Sequence, residues 1–125
     1  MKHILIVDDS ITMRRMVKVS LRTLEGANFE EAGNGLEALE RLTLLQVDLM
    51  ILDLNMPDMH GIEVLNFIRN HQTFHDLPVI VLTTRGDEAN RLATLKAGAS
   101  FYLTKPFEPS ILAEKVKELL TLATQ

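Results

Sequence analysis

Apolar and polar positions along this chain follow two rhythms, and the places where one gives way to the other carry its chemistry. Four short apolar runs each stop at a polar residue. Ile4-Leu5-Ile6-Val7 ends in Asp8-Asp9, and Leu49-Met50-Ile51-Leu52 ends in Asp53. Val79-Ile80-Val81-Leu82 ends in Thr83, and Phe101-Tyr102-Leu103-Thr104 ends in Lys105-Pro106. Unbroken apolar runs of this length, separated by helical spacing, read as parallel strands buried on both faces. The pattern predicts strands over residues 3–7, 28–32, 48–53, 79–82 and 100–103. The second is weak and belongs at an edge, because it carries Glu30 and Glu31.

Between the strands the spacing turns helical. Met13, Met16, Val17, Ser20, Leu21 and Leu24 make one face of a helix over residues 11–24, closed by Gly26. After the Asn34-Gly35 turn, Leu36, Leu39, Leu42 and Leu45 predict the core side of a second helix, too short for a zipper. Ile62, Leu65, Ile68 and Phe67 face inward from a third that frays near Asn70. Gly86-Asp87 opens a short fourth helix over 88–96. Pro109 suits the first turn of a fifth, lined by Ile111, Leu112, Val116, Leu119 and Leu120. Five β-α units fill the chain, and one domain over residues 1–125 is expected.

Composition adds limits. The 125 residues are 46% hydrophobic and 24% charged, ordinary for a globular domain with a full core. A net charge of -4 argues against direct nucleic-acid binding. The absence of cysteine removes disulfides and thiolate metal sites and suits a reducing cytoplasm. No apolar stretch approaches the roughly 20 residues of a membrane span, and the first run is too short for a secretory signal.

In an open α/β sheet ligands bind at the carboxyl ends of the strands. Asp8, Asp9, Asp53, Thr83 and Lys105 therefore converge on one rim. Two unit charges ~4 Å apart repel by ~4 kcal/mol at an effective dielectric near 20. Either one carboxyl is protonated with a raised pKa, or a cation joins the site. Oxygen donors without His or Cys suit Mg²⁺ or Mn²⁺ rather than zinc. Each residue alone has an ordinary explanation: Asp8-Asp9 as a helix cap, Thr83 as a β-branched strand residue, Lys105 as a surface lysine. Together they fit a cation-assisted phosphoryl acceptor.

The set resembles the receiver domain of two-component response regulators. The resemblance spans the whole chain and rests on Asp8-Asp9, Asp53, the loop from Asp53 through Asn55-Met56-Pro57 to Gly61, Thr83, Ala97-Gly98-Ala99 and Lys105-Pro106-Phe107. The loop and Met13-Arg14-Arg15 are similar to single-domain chemotaxis regulators of the CheY type. The resemblance implies an α/β fold with a five-stranded parallel sheet, order 2-1-3-4-5, flanked by five helices. It makes Asp53 the acceptor of a phosphoryl group from a sensor histidine kinase or phosphotransfer domain. Asp9, Asp53 and the backbone carbonyl of Asn55 would hold the metal, with Asp8 acting mainly through water. Lys105 would pair with the phosphoryl group, Thr83 would move to bond it, and Tyr102 would turn inward as an aromatic switch. A cis bond between Lys105 and Pro106 is implied. The surface made by the fourth helix, fifth strand and fifth helix would then meet a protein target.

Several positions depart from the chemotaxis pattern. Thr84 replaces a small residue, Arg85 occupies a position that tunes dephosphorylation together with Asn55, and Arg91, Leu95 and Glu118 alter the output surface near Lys115. Arg14, Arg15, Lys18 and Arg22 form a basic stripe suited to an acidic kinase domain, or simply a solvated face. His71 and His75 have helical ligand spacing but read as surface residues. Other classes compete. A haloacid-dehalogenase-type phosphatase wants an acid where Asn55 stands, and a flavodoxin wants a hydroxyl- and glycine-rich loop where Asp8-Asp9 stands. A receiver belonging to a larger regulator or hybrid kinase would run the same chemistry.

Overall fold

The burial pattern of the strands sets the architecture. The structure is a computed structural model that describes residues 2–84 and 88–123, without the side chains of 88–90, 122 and 123. Residues 4–7 of β1 (Lys2–Val7), all of β3 (Leu49–Asp53) and the first five residues of β4 (Val79–Thr84) are buried. Only a strand covered on both faces needs that much apolar sequence. β2 (Ala27–Ala32) and β5 (Phe101–Lys105) are only partly buried, and they form the two edges. The five strands are parallel in the order β2-β1-β3-β4-β5.

Successive side chains along each strand enter opposite cores. Leu5, Val7, Met50, Leu52, Val79 and Val81 pack with Ala38, Leu42, Val64, Leu65 and Ile68, from α2 (Gly35–Leu44) and α3 (Gly61–Asn70). Ile4, Ile6, Leu49, Ile51, Ile80 and Leu82 pack with Val17 and Leu21 at α1 (Ile11–Ser20) and with Leu112 and Val116 of α5 (Pro109–Ala123). α4 (Glu88–Lys96) leads into β5, and Ala97 and Ala99 after it pack on the first core. The chain winds outward from β1 to β2 and then crosses back over β1 to β3. That reversal leaves a crevice beyond the carboxyl ends of β1 and β3.

Several expectations need correction. The first helix stops at Ser20, because Leu21 N–H bonds Val17 and Lys18 carbonyls and later amides bond three residues back. Gly26, at φ 75, serves the following turn instead, where its carbonyl accepts from Lys2 N–H. Met16, expected on the core face of that helix, is 49% exposed. In α2 the leucines do not share a face. A three-residue step falls about 60° short of a full helical turn, so Leu36 swings out while Gly35, Ala38 and Leu42 face the core with Leu39 packed against it, and Leu45 is exposed just beyond the helix end. In α3, Phe67 is on the exposed side while Val64 is fully buried. Ile111 of α5 is likewise exposed. Lastly, β4 and β5 each run two residues beyond their predicted ends, since Thr83 pairs with Thr104 and Thr84 with Lys105. Backbone ladder bonds do not require apolar side chains. Gly86-Asp87 and Arg85 lie outside the described residues.

Candidate functional site

Each strand end delivers its polar residue to the crevice. Asp8 follows β1, Asp53 closes β3, Thr83 lies near the end of β4 and Lys105 closes β5. Asp8 and Asp53 are 3% and 4% exposed, and Thr83 is fully buried. Asp9 is exposed and begins the approach to α1, whose N-cap is Ser10; the Ser10 hydroxyl accepts from Met13 N–H at 3.1 Å. Oxygen atoms of Asp8, Asp9 and Asp53 all lie within 4.8 Å of one another, the one such cluster among the described residues. The Lys105 Nζ donates to Asp8 Oδ2 at 2.9 Å and lies 3.3 Å from Asp53 Oδ1. Asn55 N–H donates to Asp53 Oδ1 at 3.3 Å. The Lys105–Pro106 peptide bond is cis.

Burial pushes the Asp53 carboxyl above its ordinary pKa, and the charge of Asp8 adds to the rise; the nearby Lys105 ammonium offsets part of it. Burial alone would lower the pKa of Lys105, but its hydrogen bond to Asp8 and the charge of Asp53 outweigh that, so the ammonium is held. The pocket thus has three carboxylates and one cation. Its remaining negative charge and its hard oxygen donors fit a divalent ion of the Mg²⁺ type. The Asp53 shift is what burial of a carboxyl beside a second acid produces.

The surroundings hold this arrangement rigidly. Gly61 packs so closely on the loop after β3 that a Cβ there would lie 2.7 Å from both Asp53 O and Leu54 Cα. Gly61 N–H donates to Leu54 O at 2.9 Å, and His60 caps α3 through its Nδ1. Asp58 reaches from the same loop to the N-terminus of α2, accepting from Gly35 N–H at 3.1 Å and Leu36 N–H at 3.2 Å. Desolvation is the largest single influence on Asp58 and raises its pKa, but the backbone donors of Gly35 and Leu36, with those of Asp58 and Met59, together outweigh it and lower the pKa. Nothing in sequence spacing pointed to Asp58 as a tie between the site loop and α2.

Sequence reading also missed the partner of Asn55. Its side-chain Nδ2 donates to Thr84 Oγ1 at 3.0 Å and approaches Thr83 Oγ1 at 3.4 Å. The only available signal was that Thr84 is larger than the residue common there. The basic stripe also differs from expectation. Arg14 and Lys18 turn inward to Glu31 of β2, at 2.8 and 2.6 Å, which leaves Arg15 and Arg22 as its exposed members. Hydrogen bonds from Lys18 and then Arg14 lower the Glu31 pKa. His71 stacks against Phe74 at 4.3 Å between ring centroids and accepts from Thr73 N–H, while His75 pairs with Asp76. Both are surface features, as expected.

On the opposite side of β5, Tyr102 is half-buried against the first core. Leu92 is 68% and Leu95 38% exposed, and Arg91 is exposed beside them. Lys115 lies 4.4 Å over the Phe101 ring and pairs with Glu118 at 3.4 Å, so the departure at Glu118 is matched by a neighbouring cation.

A parallel sheet of this order with an acid-rich crevice at the carboxyl ends of β1 and β3 defines a class, and comparison with known proteins agrees. The response regulator receiver domain family matches residues 4–117, and the chain belongs to that family. It is 42% identical over 118 residues to a chemotaxis protein CheY homolog of Campylobacter jejuni, covering 94% of this chain and 91% of the relative. Chemotaxis protein CheY1 of Helicobacter pylori is 40% identical, with 94% and 95% covered. Among solved structures, a CheY-like response regulator receiver domain protein of Methanospirillum hungatei superposes with a TM-score of 0.88 at 32% identity, covering 99% of this chain and 97% of that one.

Proposed function

We propose that this protein is a phosphoryl-accepting switch in which Asp53 receives the group from a phosphohistidine on a sensor histidine kinase or phosphotransfer domain. The observation that carries this reading is the Asp8-Asp9-Asp53 cluster with Lys105 bridging two of its members. An Asp53 carboxylate oxygen attacks phosphorus, a P–O bond forms, the P–N bond breaks, and the imidazole nitrogen keeps the electron pair. Asp9, Asp53 and the Asn55 carbonyl would hold Mg²⁺, or Mn²⁺ in its place, with Asp8 acting mainly through water. The ion supplies charge neutralisation and orients phosphate oxygens. Lys105 is already placed to follow the negative charge from carboxylate to phosphoryl oxygen.

Two negative charges added at Asp53 favour a packing in which Lys105 and Thr83 draw toward them. Thr83 must first exchange its Asn55 neighbour for a phosphoryl oxygen, and Tyr102 then fills the space it leaves. A swing from 1:99 to 99:1 requires ~5.5 kcal/mol of preference for one state. Charge-assisted hydrogen bonds of ~1.5–3 kcal/mol each from Lys105 and Thr83, with the metal contact, reach that range. The altered surface is that of α4, β5 and α5, where Leu92, Leu95 and Ile111 are exposed to a protein target. Exposed Arg15 and Arg22 suit an acidic kinase domain. The names of its relatives favour a chemotaxis role. Self-hydrolysis of the acyl phosphate would reset the switch without turnover of an external substrate.

The test is labelling with acetyl phosphate or formation of a beryllofluoride adduct, followed by mass and by metal dependence. Wild type should gain one phosphoryl group only with Mg²⁺ or Mn²⁺, and Asp53→Asn should gain none while keeping its fold. Persistent labelling of Asp53→Asn, or labelling indifferent to the metal, contradicts the assignment.

A further inference from the structure

Asp9 is the least supported member of the acidic cluster. It is exposed, and among the described residues its carboxylate makes no hydrogen bond or ion pair. What places it is the backbone on either side. The peptide after Asp9 is anchored because Ser10 N–H donates to Asp8 Oδ1 at 2.9 Å. The peptide before it is anchored because the Asp8 carbonyl accepts from Arg14 Nη1 at 2.6 Å. Two fixed peptide planes determine the direction of the Cα–Cβ bond between them.

Asp8 itself is held at every polar atom. Its N–H donates to Ala32 O at 3.1 Å, Oδ1 takes Ser10, Oδ2 takes Lys105, and the carbonyl takes Arg14. Of these four partners Arg14 is the one whose side chain is braced by a carboxylate outside the acidic cluster. Its Nε donates to Glu31 Oε1 at 2.8 Å, and the other Glu31 oxygen binds Lys18 at 2.6 Å. The Arg14 side chain is only 15% exposed. A planar fork reaching one carboxylate and one carbonyl from two nitrogens has a single orientation, unlike a lysine ammonium.

We propose that Arg14 is a positioning residue for the metal site: braced by Glu31, it holds the Asp8 carbonyl and so aims the Asp9 carboxylate at Asp8 and Asp53. This rests on the metal reading of the cluster given above. It runs against simple electrostatics, which makes it easy to test. A guanidinium beside a cation site repels the cation, so removing it should tighten binding if charge were its whole effect. If Arg14 positions the site, removing it loosens binding, and loss of a group that orients a metal ligand typically weakens affinity about 10–100-fold.

The experiment is Mg²⁺ titration by calorimetry, with amide chemical shifts of Asp9 and Ser10 followed in parallel, on wild type, Arg14→Gln and Arg14→Lys. Arg14→Gln is expected to bind Mg²⁺ about 10-fold or more weakly. Arg14→Lys keeps the charge but not the fork, and is expected to fall between, at least about threefold weaker than wild type. Unchanged or tighter binding by Arg14→Gln overturns the proposal. Should that variant not fold, Arg14→Lys decides: wild-type affinity overturns the proposal, and the threefold loss supports it. Failure of wild type to bind Mg²⁺ would instead strike the metal reading itself, and the positioning role with it.

Discussion

The Thr84 hydroxyl is one of the contacts that tie the edge of the site together. Asn55 Nδ2 donates to it at 3.0 Å, and the same amide approaches Thr83 at 3.4 Å, so one side chain ties the loop after β3 to the end of β4. In the proposed switch Thr83 would leave this arrangement to reach a phosphoryl group. Replacing Thr84 with the isosteric valine removes one exposed hydrogen bond, worth about 0.5–1.5 kcal/mol. Thr84→Val is therefore expected to raise the initial rate of labelling by acetyl phosphate about 2- to 10-fold, whereas Thr84→Ser leaves it near wild type. A slower Thr84→Val would mean that the hydroxyl assists the reaction instead of restraining it.

At the scale of elements, the site depends on how closely α3 approaches the end of β3. Gly61 begins α3, and its hydrogen in place of a Cβ allows the helix to start against Asp53 O and Leu54 Cα. Both are backbone atoms that cannot rotate away. Gly61→Ala must push the helix or the loop apart, at a cost typical of overpacking, about 1–3 kcal/mol. Thermal melting should show a drop of several degrees, and labelling of Asp53 should slow because the displaced loop carries Asn55. An alanine variant with unchanged melting and labelling would show that the loop has slack the packing does not reveal. Asp58 acts at the same scale. Its carboxylate on the first turn of α2 satisfies amides the helix cannot pair itself, so the site loop and α2 move as one piece.

For the whole molecule, the crevice is a place where stability has been given up. Burial raises the Asp53 pKa, which means that the folded state holds this group in a setting that disfavours its charged form. A raised carboxyl pKa lowers stability as pH climbs above the unfolded value. Asp53→Asn should accordingly melt higher than wild type at neutral pH without metal. Mg²⁺ should raise the melting point of wild type, since a ligand at 100 times its Kd stabilises by about 2.7 kcal/mol. The rise should be smaller for Asp53→Asn, which lacks one of the charged donors. Equal shifts for the two proteins would place the ion elsewhere.

The order of the elements and the residues of the rim were legible from the chain alone. Strands buried on both faces must be continuously apolar, and such a run ends visibly at Asp8, Asp53, Thr83 and Lys105. Helix boundaries and faces were less legible. The leucines of α2 repeat every third residue, yet only Leu42 is buried, because a helix does not close on three. Folding alone decided which side chains meet: Arg14 with the Asp8 carbonyl and Glu31, Asn55 with Thr84, Asp58 with α2. These partners lie 6 to 29 residues apart in the chain. Periodicity records which face of an element is buried, but a polar contact between two elements leaves no period to read.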